Sequence, residues 1–579
     1  MEYILMNNKQ YDEMKSFYES LGYSKAQSER LSKNVFQYEI RVSEKEPYNE
    51  SWEFYVRRDY GREEEVMPGA GGFFSGVKNM FGGAPVMAAS KSMAMPLMKA
   101  SMVMDDSMVM EDAMAAPLPS MPAPEFNTAK THVSPEIPQV NTQNESAVIF
   151  SANVNNASWS YVRNSIKRGR RIDPSFVRVE EIISDLKSDI KPPEDKTFNI
   201  IGERAMCPWN KEHELLLVSL KGMEVKEKKP NHLVYLVDVS GSMQDNVVLE
   251  QLALASLTAK LKEGDTISII AYSDETKTVV RNLDCSDKDK CIDAILNINF
   301  ISGCTNGSRG LTDAYEFLDK YAKEDANNRI FIFTDGDFNF GITGEGSLAD
   351  FIKEKKKSGI YLSVVGYGMS NFKDDNMEAL SRNGNGNYCF VGCPEDITEK
   401  LFEQFEATVY TIAKDVKIKV ELNPKYSKSY RLVGYNARKL TQQDFDNTEK
   451  AVDGVGSGYL TSALIEYTPG TSKDSGVSRY TSTESLDVEG EFAAVNVRYK
   501  DVKDENKEQE YIITTESIKN VSEATQNSSF LAAFALEMCN SEYKGDINKD
   551  FLEKLIKEYR KKSEVKKYIP VFEKYLQNK

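Results

Sequence analysis

Histidine is nearly absent from these 579 residues, and the three present, His132, His213 and His232, lie far apart in the chain. That leaves little support for histidine catalysis or for a zinc set built on imidazole. Cysteine is equally dilute. Cys207, Cys285, Cys291, Cys304, Cys389, Cys393 and Cys539 are odd in number and spread out, unlike the framework of a small secreted domain, so reduced thiols are expected. No apolar run approaches the roughly 18 residues that span a bilayer, so no transmembrane segment is expected. The opening MEYILMNNKQYDEMKSFYES lacks the apolar core of a secretory leader, which makes a cytoplasmic location the expectation. Positive charge is short as well. With 73 Lys and Arg against 89 Asp and Glu the net charge is −16, which argues against nucleic acid or an anionic membrane as the main partner.

What the chain does have is length for about three to four domains at roughly 150 residues each. Residues 1–62 carry two helix-like patterns, near Tyr11 to Leu21 and Ser24 to Phe36, and then SWEFYVRRDYG, which reads as a strand, giving a small α+β unit. In 63–145 the texture changes: twelve of the 21 methionines fall between Met67 and Met121, among Ala, Gly, Ser and Pro. Too poor in branched and aromatic side chains to build a core, the tract reads as a flexible linker. Binding of a soft ion such as Cu(I) by those methionines is the sharper alternative, and their irregular spacing speaks against it.

Residues 146–230 read as the first part of a platform, with SWSYVRNSIKRG and SFVRVEEIISDL helical and ELLLVSLKGMEV a strand. Across 231–410, LVYLVD, TISIIAY, RIFIFTD and IYLSVVGYG alternate with the amphipathic segments NVVLEQLALASLTAKL and RGLTDAYEFLDKYA. Near-continuous apolar strands are those of a parallel sheet buried on both faces, so this is a doubly wound, Rossmann-like α/β domain. Residues 411–527 return to alternating strands, DVKIKVEL, SGYLTSALIEYTP, FAAVNVRYKD and QEYIITT, as the second part of an antiparallel β-sandwich into which the α/β domain is inserted. Residues 528–579 read as C-terminal helices.

The chemistry gathers at the ends of strands. Asp238 closes LVYLVD, and Ser240 and Ser242 follow at alternate positions that share a face, with Gly241 between them to let the backbone turn tightly. Asp335 closes RIFIFTD, and SGCTNGSRG presents Thr305 just before a helix. Open α/β sheets bind ligands at such carboxyl ends. Hard oxygen donors without thiolate or imidazole suit Mg²⁺ or Mn²⁺.

These residues are also those of the metal-ion-dependent adhesion site of von Willebrand factor type A (VWA) domains. The chain resembles that family in D-x-S-G-S at Asp238 to Ser242, T-N-G at Thr305 to Gly307 and T-D-G at Thr334 to Gly336. A narrower resemblance, from about Phe150 to Tyr559, is to bacterial VWA proteins of the YfbK type. It is carried by ASWSYVRNSIKRG, VRVEEII, CPWNKEHELLLVSLKG, YRLVGYNARKL, GSGYLTSALIEYTP and FLAAFALEM. The resemblance implies Ser240, Ser242 and Thr305 as direct hydroxyl ligands, Asp238 and Asp335 as direct or water-bridged ones, and a sixth position for an Asp or Glu of a protein partner. It also implies complex assembly with a MoxR-type AAA+ ATPase, and it leaves cell-envelope association as the other location.

Plainer readings stand beside these. Ser240 and Ser242 are also what a helix cap looks like, Asp337 reads as a turn or supporting acid, and Asn306 either orients the threonine loop or meets a partner. Cys389 and Cys393 read as buried structural thiols, Cys285 and Cys291 bridge only if their loop closes, KRGRR (Lys167 to Arg171) reads as a solvent-facing helix end, and the last helices read as packed on the sandwich. The leading function is a non-enzymatic, Mg²⁺-dependent protein-binding module. A Mg²⁺-dependent phosphohydrolase is weaker, because no second acid follows Asp238 at the second position and no Lys or His sits in the three loops as acid, base or phosphate clamp. A self-assembling structural protein is the third reading, with the site clamping an acid of another copy or of its own linker, where Asp105, Asp106, Glu111 and Asp112 are candidates.

Overall fold

The computed structural model describes residues 15–16, 18–19, 24–33, 135–142, 144–298, 306–336, 351–352, 354–355, 359–368, 374–471, 480, 490–518 and 522–579. Ahead of the α/β domain come β1 (Val140–Asn141), β2 (Ala147–Ser151), α1 (Ala157–Lys167), α2 (Val179–Ser184), β3 (Phe198–Met206) and β4 (Glu214–Gly222). The α/β domain itself runs through β5 (Asn231–Asp238), α3 (Val247–Ala259), β6 (Thr266–Tyr272), β7 (Thr276–Asp284), α4 (Lys288–Leu296), α5 (Gly307–Tyr321), β8 (Asn327–Thr334), β9 (Tyr361–Gly366), α6 (Asp374–Asn383) and β10 (Tyr388–Phe390). Then follow β11 (Thr411–Leu422), β12 (Ser427–Val433), β13 (Val455–Gly456), β14 (Leu460–Pro469), β15 (Glu491–Lys500), β16 (Asn506–Thr514), α7 (Glu523–Met538), α8 (Lys549–Tyr559) and α9 (Ile569–Asn578).

In the α/β domain the strand order is β10-β9-β8-β5-β6-β7. The alternation of side chains along a strand is visible in where they go. Leu233, Tyr235 and Val237 of β5 join one apolar cluster with Phe331 and Phe333 of β8, while Val234 and Leu236 join the opposite one with Ile330 and Ile332. Both faces are covered, which is why these strands read as unbroken apolar runs. The edge is different: β7 pairs antiparallel with β6, and TKTVVRNLD is largely solvent-facing, so its polarity hid it from an apolar pattern search. Helix α3 also departs from its amphipathic reading, since its residues from Val248 to Thr258 are all buried.

Two antiparallel sheets, β1-β12-β14-β4-β3 and β13-β11-β15-β16 with β2 paired to β11, each mix strands from before and after the α/β domain. They share one core, in which Val218 and Ile465 of the first sheet meet Phe150, Val420 and Val495 of the second. Helices α7 to α9 cover α1 and α2 through Trp159, Trp209 and Phe530, with the rings of Phe534 and Phe572 stacked 3.9 Å apart. None of the helices among the described residues is long and apolar enough to cross a membrane.

Two sequence expectations need correction, the linker boundary and the separate N-terminal unit. The linker reading ran to residue 145, yet Val140–Asn141 already pairs with β12 and Ile137 is buried in the core between the two sheets, because a short β-branched run here has a strand edge to join. KRGRR faces solvent as expected, with Lys167, Gly169, Arg170 and Arg171 exposed, while Lys167 Nζ also reaches Glu395 at 3.1 Å and Arg168 donates to the Gly392 carbonyl at 3.1 Å. At the N-terminus residues 25–33 are helical, but Tyr18 and Leu31 are buried in an apolar cluster of the α/β domain, with Arg30 3.8 Å from Asp293. SWEFYVRRDYG and the methionine tract lie outside the described residues.

The seam between the α/β domain and the rest is rich in buried ion pairs. Glu378 of α6 accepts from Arg438 at 2.7 Å and Arg382 at 2.8 Å, and Arg438 also pairs with Asp453. Asp396 pairs with Arg163 and accepts from Asn164 at 3.0 Å, and Asp185 is held by Lys400, by Lys567 at 2.8 Å and by the Tyr568 hydroxyl at 2.7 Å.

Candidate metal centre

Every residue of β5 is buried, and the strand ends on Asp238. The chain leaves β5 for β6 on one side and returns through α5 to β8 on the other, so Asp238 stands where the winding reverses, the place where sheets of this kind bind ligands. Three protein donors hold its carboxylate. The Ser240 N–H reaches Oδ1 at 3.0 Å, and the hydroxyls of Thr334 and Tyr272 reach Oδ2 at 3.1 Å and 3.2 Å. Both oxygens therefore already accept, and the lone pairs left over are what a cation or its bound water would use.

Ser240 is in extended conformation and leads into a 3-10 turn over Gly241–Asp245, after which α3 begins. This geometry sets the hydroxyls of Ser240 and Ser242 3.1 Å apart. Ser240 is buried and Ser242 exposed, so the pair runs from the floor of the site to its mouth. The tight-turn role expected of Gly241 falls elsewhere: φ is 84° at Gly336, in the left-handed region, while Gly241 has an ordinary negative φ. The Gly336 N–H then donates to Thr334 Oγ1 at 3.0 Å, orienting that hydroxyl to donate to Asp238.

Asp335, buried, follows Thr334 directly, and its charge acts on Asp238. Thr305 lies outside the described residues, as does Asp337. Its neighbour Asn306 caps α5 by accepting from the Arg309 N–H at 3.2 Å, and its own N–H bonds the Ser273 carbonyl at 2.9 Å, which ties this loop to the end of β6. Close approach of α5 to that strand depends on Gly310, where a Cβ would lie 2.9 Å from the Tyr272 ring.

Burial, reinforced by the charge of Asp335, pushes the Asp238 carboxyl up to about 7 against the pull of the Ser240 hydrogen bonds. Two neighbouring acids, at the ends of the adjacent buried strands β5 and β8, with hydroxyls rather than bases around Asp238, fit a hard divalent cation. Among the described residues no three acidic, His or Cys side chains are grouped to hold an ion by themselves. Sequence reasoning missed Tyr272, whose signal was its place at the end of TISIIAY in register with Asp238. It also missed Glu250, which is fully buried in α3 with no hydrogen-bond partner on either carboxyl oxygen.

The other candidates are accounted for by local structure. Cys389 and Cys393 are buried free thiols, and burial raises the pKa of both. Cys285 and Cys291 are free and buried. His232 is buried between Asn328 and Asn282, and His213 bonds Glu466 at 2.6 Å, whereas His132 is outside the described residues.

Family models match the chain in three segments: "von Willebrand factor type A domain" over residues 232–404, "Uncharacterized protein YfbK, C-terminal" over 407–571, and "von Willebrand factor" over 125–217. None of these descriptions names an enzyme. The chain is 33% identical over 367 residues to "Uncharacterized protein YfbK" of Escherichia coli (strain K12), a match over 61% of this chain and 64% of that protein. It is 24% identical over 226 residues to "Uncharacterized protein sll0103" of Synechocystis sp. (strain ATCC 27184 / PCC 6803 / Kazusa), covering 38% of this chain and 51% of that one. The chain thus spans just under two thirds and about half of these relatives. Among solved structures it is similar to a von Willebrand factor type A protein from Catenulispora acidiphila, at 14% identity and TM-score 0.36 over 60% of this chain and 80% of that one. It is also similar to proximal thread matrix protein 1 of mussel byssus with a zinc-occupied MIDAS motif, at 16% identity and TM-score 0.27 over 31% and 48%.

Proposed function

Since the chain is a bacterial von Willebrand factor type A protein of the YfbK type, we propose that it is a non-enzymatic, Mg²⁺- or Mn²⁺-dependent protein-binding module carried on a β-sandwich platform. Ser240, Ser242 and Thr305 would hold the ion through hydroxyls, with Asp238 and Asp335 binding it directly or through water. When bound, the ion supplies a Lewis-acidic position for an Asp or Glu of a partner protein. The chain's own residues prepare that position: Thr334 and Tyr272 orient Asp238, Gly336 orients Thr334, and the 3-10 turn presents Ser240 and Ser242 together. The proposed partner is a protein in complex assembly, with a MoxR-type AAA+ ATPase as the first to test.

The observation that carries this reading is the buried Asp238 carboxylate, gripped by Ser240, Thr334 and Tyr272 beside a second acid at the switch point of the sheet. Affinity capture on purified full-length chain, in Mg²⁺ and in EDTA, with Asp335→Ala alongside, tests it. Retention of a protein by the wild type in Mg²⁺ alone supports the reading. Equal retention in all conditions removes the site from the binding surface.

A further inference from the structure

Glu250 presents a chemical problem that the proposed ligand set does not solve. It is fully buried, and neither carboxyl oxygen has a hydrogen-bond partner. A carboxylate withdrawn from water without a partner is among the most costly groups a fold can contain. The groups acting on it electrostatically are Asp238 and Asp335, both acids, and together with burial they raise its pKa well above the usual carboxylate range. None of the groups acting on it among the described residues is a base, so without a cation it is left to a proton.

Its place in the chain is equally specific. The loop that carries Ser240 and Ser242 passes through Asn246 straight into α3, and the Glu250 N–H donates to the Asn246 carbonyl at 2.9 Å in the first turn. The wall on the other side is built by Tyr367 and Gly368. Tyr367 donates its N–H to the Thr334 carbonyl at 2.9 Å, and a Cβ on Gly368 would lie 3.6 Å from Asp335 Cβ and 3.8 Å from Asn246 Nδ2. The Tyr367 hydroxyl is likewise buried without a partner, and it feels the charge of Glu250. Two unpartnered polar groups thus lie close to the acids of the site, one on the buried helix α3 and one just after β9.

We propose that Glu250 is a third acid of the metal centre, a positioning residue that acts on the bound divalent cation through a bridging water and sets the affinity of the site. This rests on the reading of Asp238, Ser240, Ser242 and Asp335 as metal ligands. Direct coordination is not part of the proposal, because among the described residues Glu250 forms no three-acid chelating group with its neighbours. Groups one layer out from a metal commonly change its affinity 10- to 100-fold when removed.

The test is Mg²⁺ and Mn²⁺ titration of the full chain by calorimetry, with the melting temperature recorded with and without metal, on wild type, Glu250→Gln, Glu250→Asp, Asp335→Ala and the exposed control Glu263→Gln. Glu250→Gln should weaken metal binding by roughly tenfold or more, while its metal-free melting temperature equals or exceeds that of the wild type, since an unpartnered buried acid has been removed. Glu250→Asp keeps the charge but withdraws it by one methylene, so it should also weaken binding, and it serves if the Gln variant does not fold. Glu263→Gln should behave as wild type. If the wild type binds metal, Asp335→Ala abolishes binding and both Glu250 variants bind within about twofold of wild type, Glu250 is only a structural residue and this inference falls alone. If the wild type binds neither ion, the metal-site reading falls with it.

Discussion

Two groups of buried acids in this chain are treated in opposite ways. At the seam between the α/β domain and the platform, Glu378 meets Arg438, Arg178 and Arg382, Asp396 meets Arg163, and Asp185 meets Lys400 and Lys567. At the end of β5, none of the groups that act most strongly on Asp238 or Glu250 is a base. Burial pushes both sets of carboxyls up. At the seam the guanidinium groups overcome it and bring Glu378 down to about 2, whereas beside β5 a second acid adds to it and Asp238 reaches about 7. The contrast lies in compensation, not in burial. Charge neutralised from within holds two parts of a fold together, and charge left uncompensated is available to a cation from outside.

The largest blow to the seam should come from Arg438→Ala, which takes from the buried Glu378 and Asp453 the fully buried guanidinium they share and leaves them to the part-exposed Arg382 and, for Glu378, Arg178. We expect a loss of about 3–5 kcal/mol in chemical denaturation. A loss under about 1 kcal/mol would mean that water or rearrangement compensates those acids, and the contrast with the end of β5 would weaken.

Acid should expose the same difference. Glu378 has a folded pKa of about 2 against an ordinary 4.5, so its stabilisation is complete above about pH 4.5 and is lost as pH falls through 2. That is roughly 3 kcal/mol between those limits, read as the slope of urea stability against pH. Arg438→Ala should flatten the slope; an unchanged slope would assign it to other acids.

At the end of β5 the sign reverses, because on the proposed function stability is gained from a ligand. Mg²⁺ at about 100 times its dissociation constant should add roughly 2.7 kcal/mol to the α/β domain, seen as a metal-dependent rise in melting temperature that Asp335→Ala lacks. The smallest effect is expected from Tyr272→Phe. It removes one of three donors to Asp238 and should cost about 1 kcal/mol of stability, with metal affinity falling by roughly fivefold.

How much of this was legible in the sequence follows from what each signal depends on. Strands β5, β6, β8 and β9 announced themselves because burial on both faces leaves an unbroken apolar run, and Asp238, Ser240, Ser242 and Asp335 stood at their ends as hydroxyls and acids in alternation. Strand β7 did not, since an edge facing water carries TKTVVRNLD and resembles a loop. Glu250 was invisible for the converse reason: one acid in NVVLEQLALASLTAKL looks like the polar side of an amphipathic helix, and only three-dimensional packing reveals that the helix has almost no polar side. The seam was unreadable for want of any local pattern, because Arg163 and Asp396, or Glu378 and Arg438, find each other across long separations in the chain.

The most direct test of the central claim is a Mn²⁺ titration of the full chain followed by electron paramagnetic resonance, with Mg²⁺ as competitor and Asp335→Ala as control. The account predicts one bound Mn²⁺ per chain, displaced by Mg²⁺ and lost in the variant. Free Mn²⁺ signal undiminished by the wild type, or binding that survives Asp335→Ala unchanged, would contradict it.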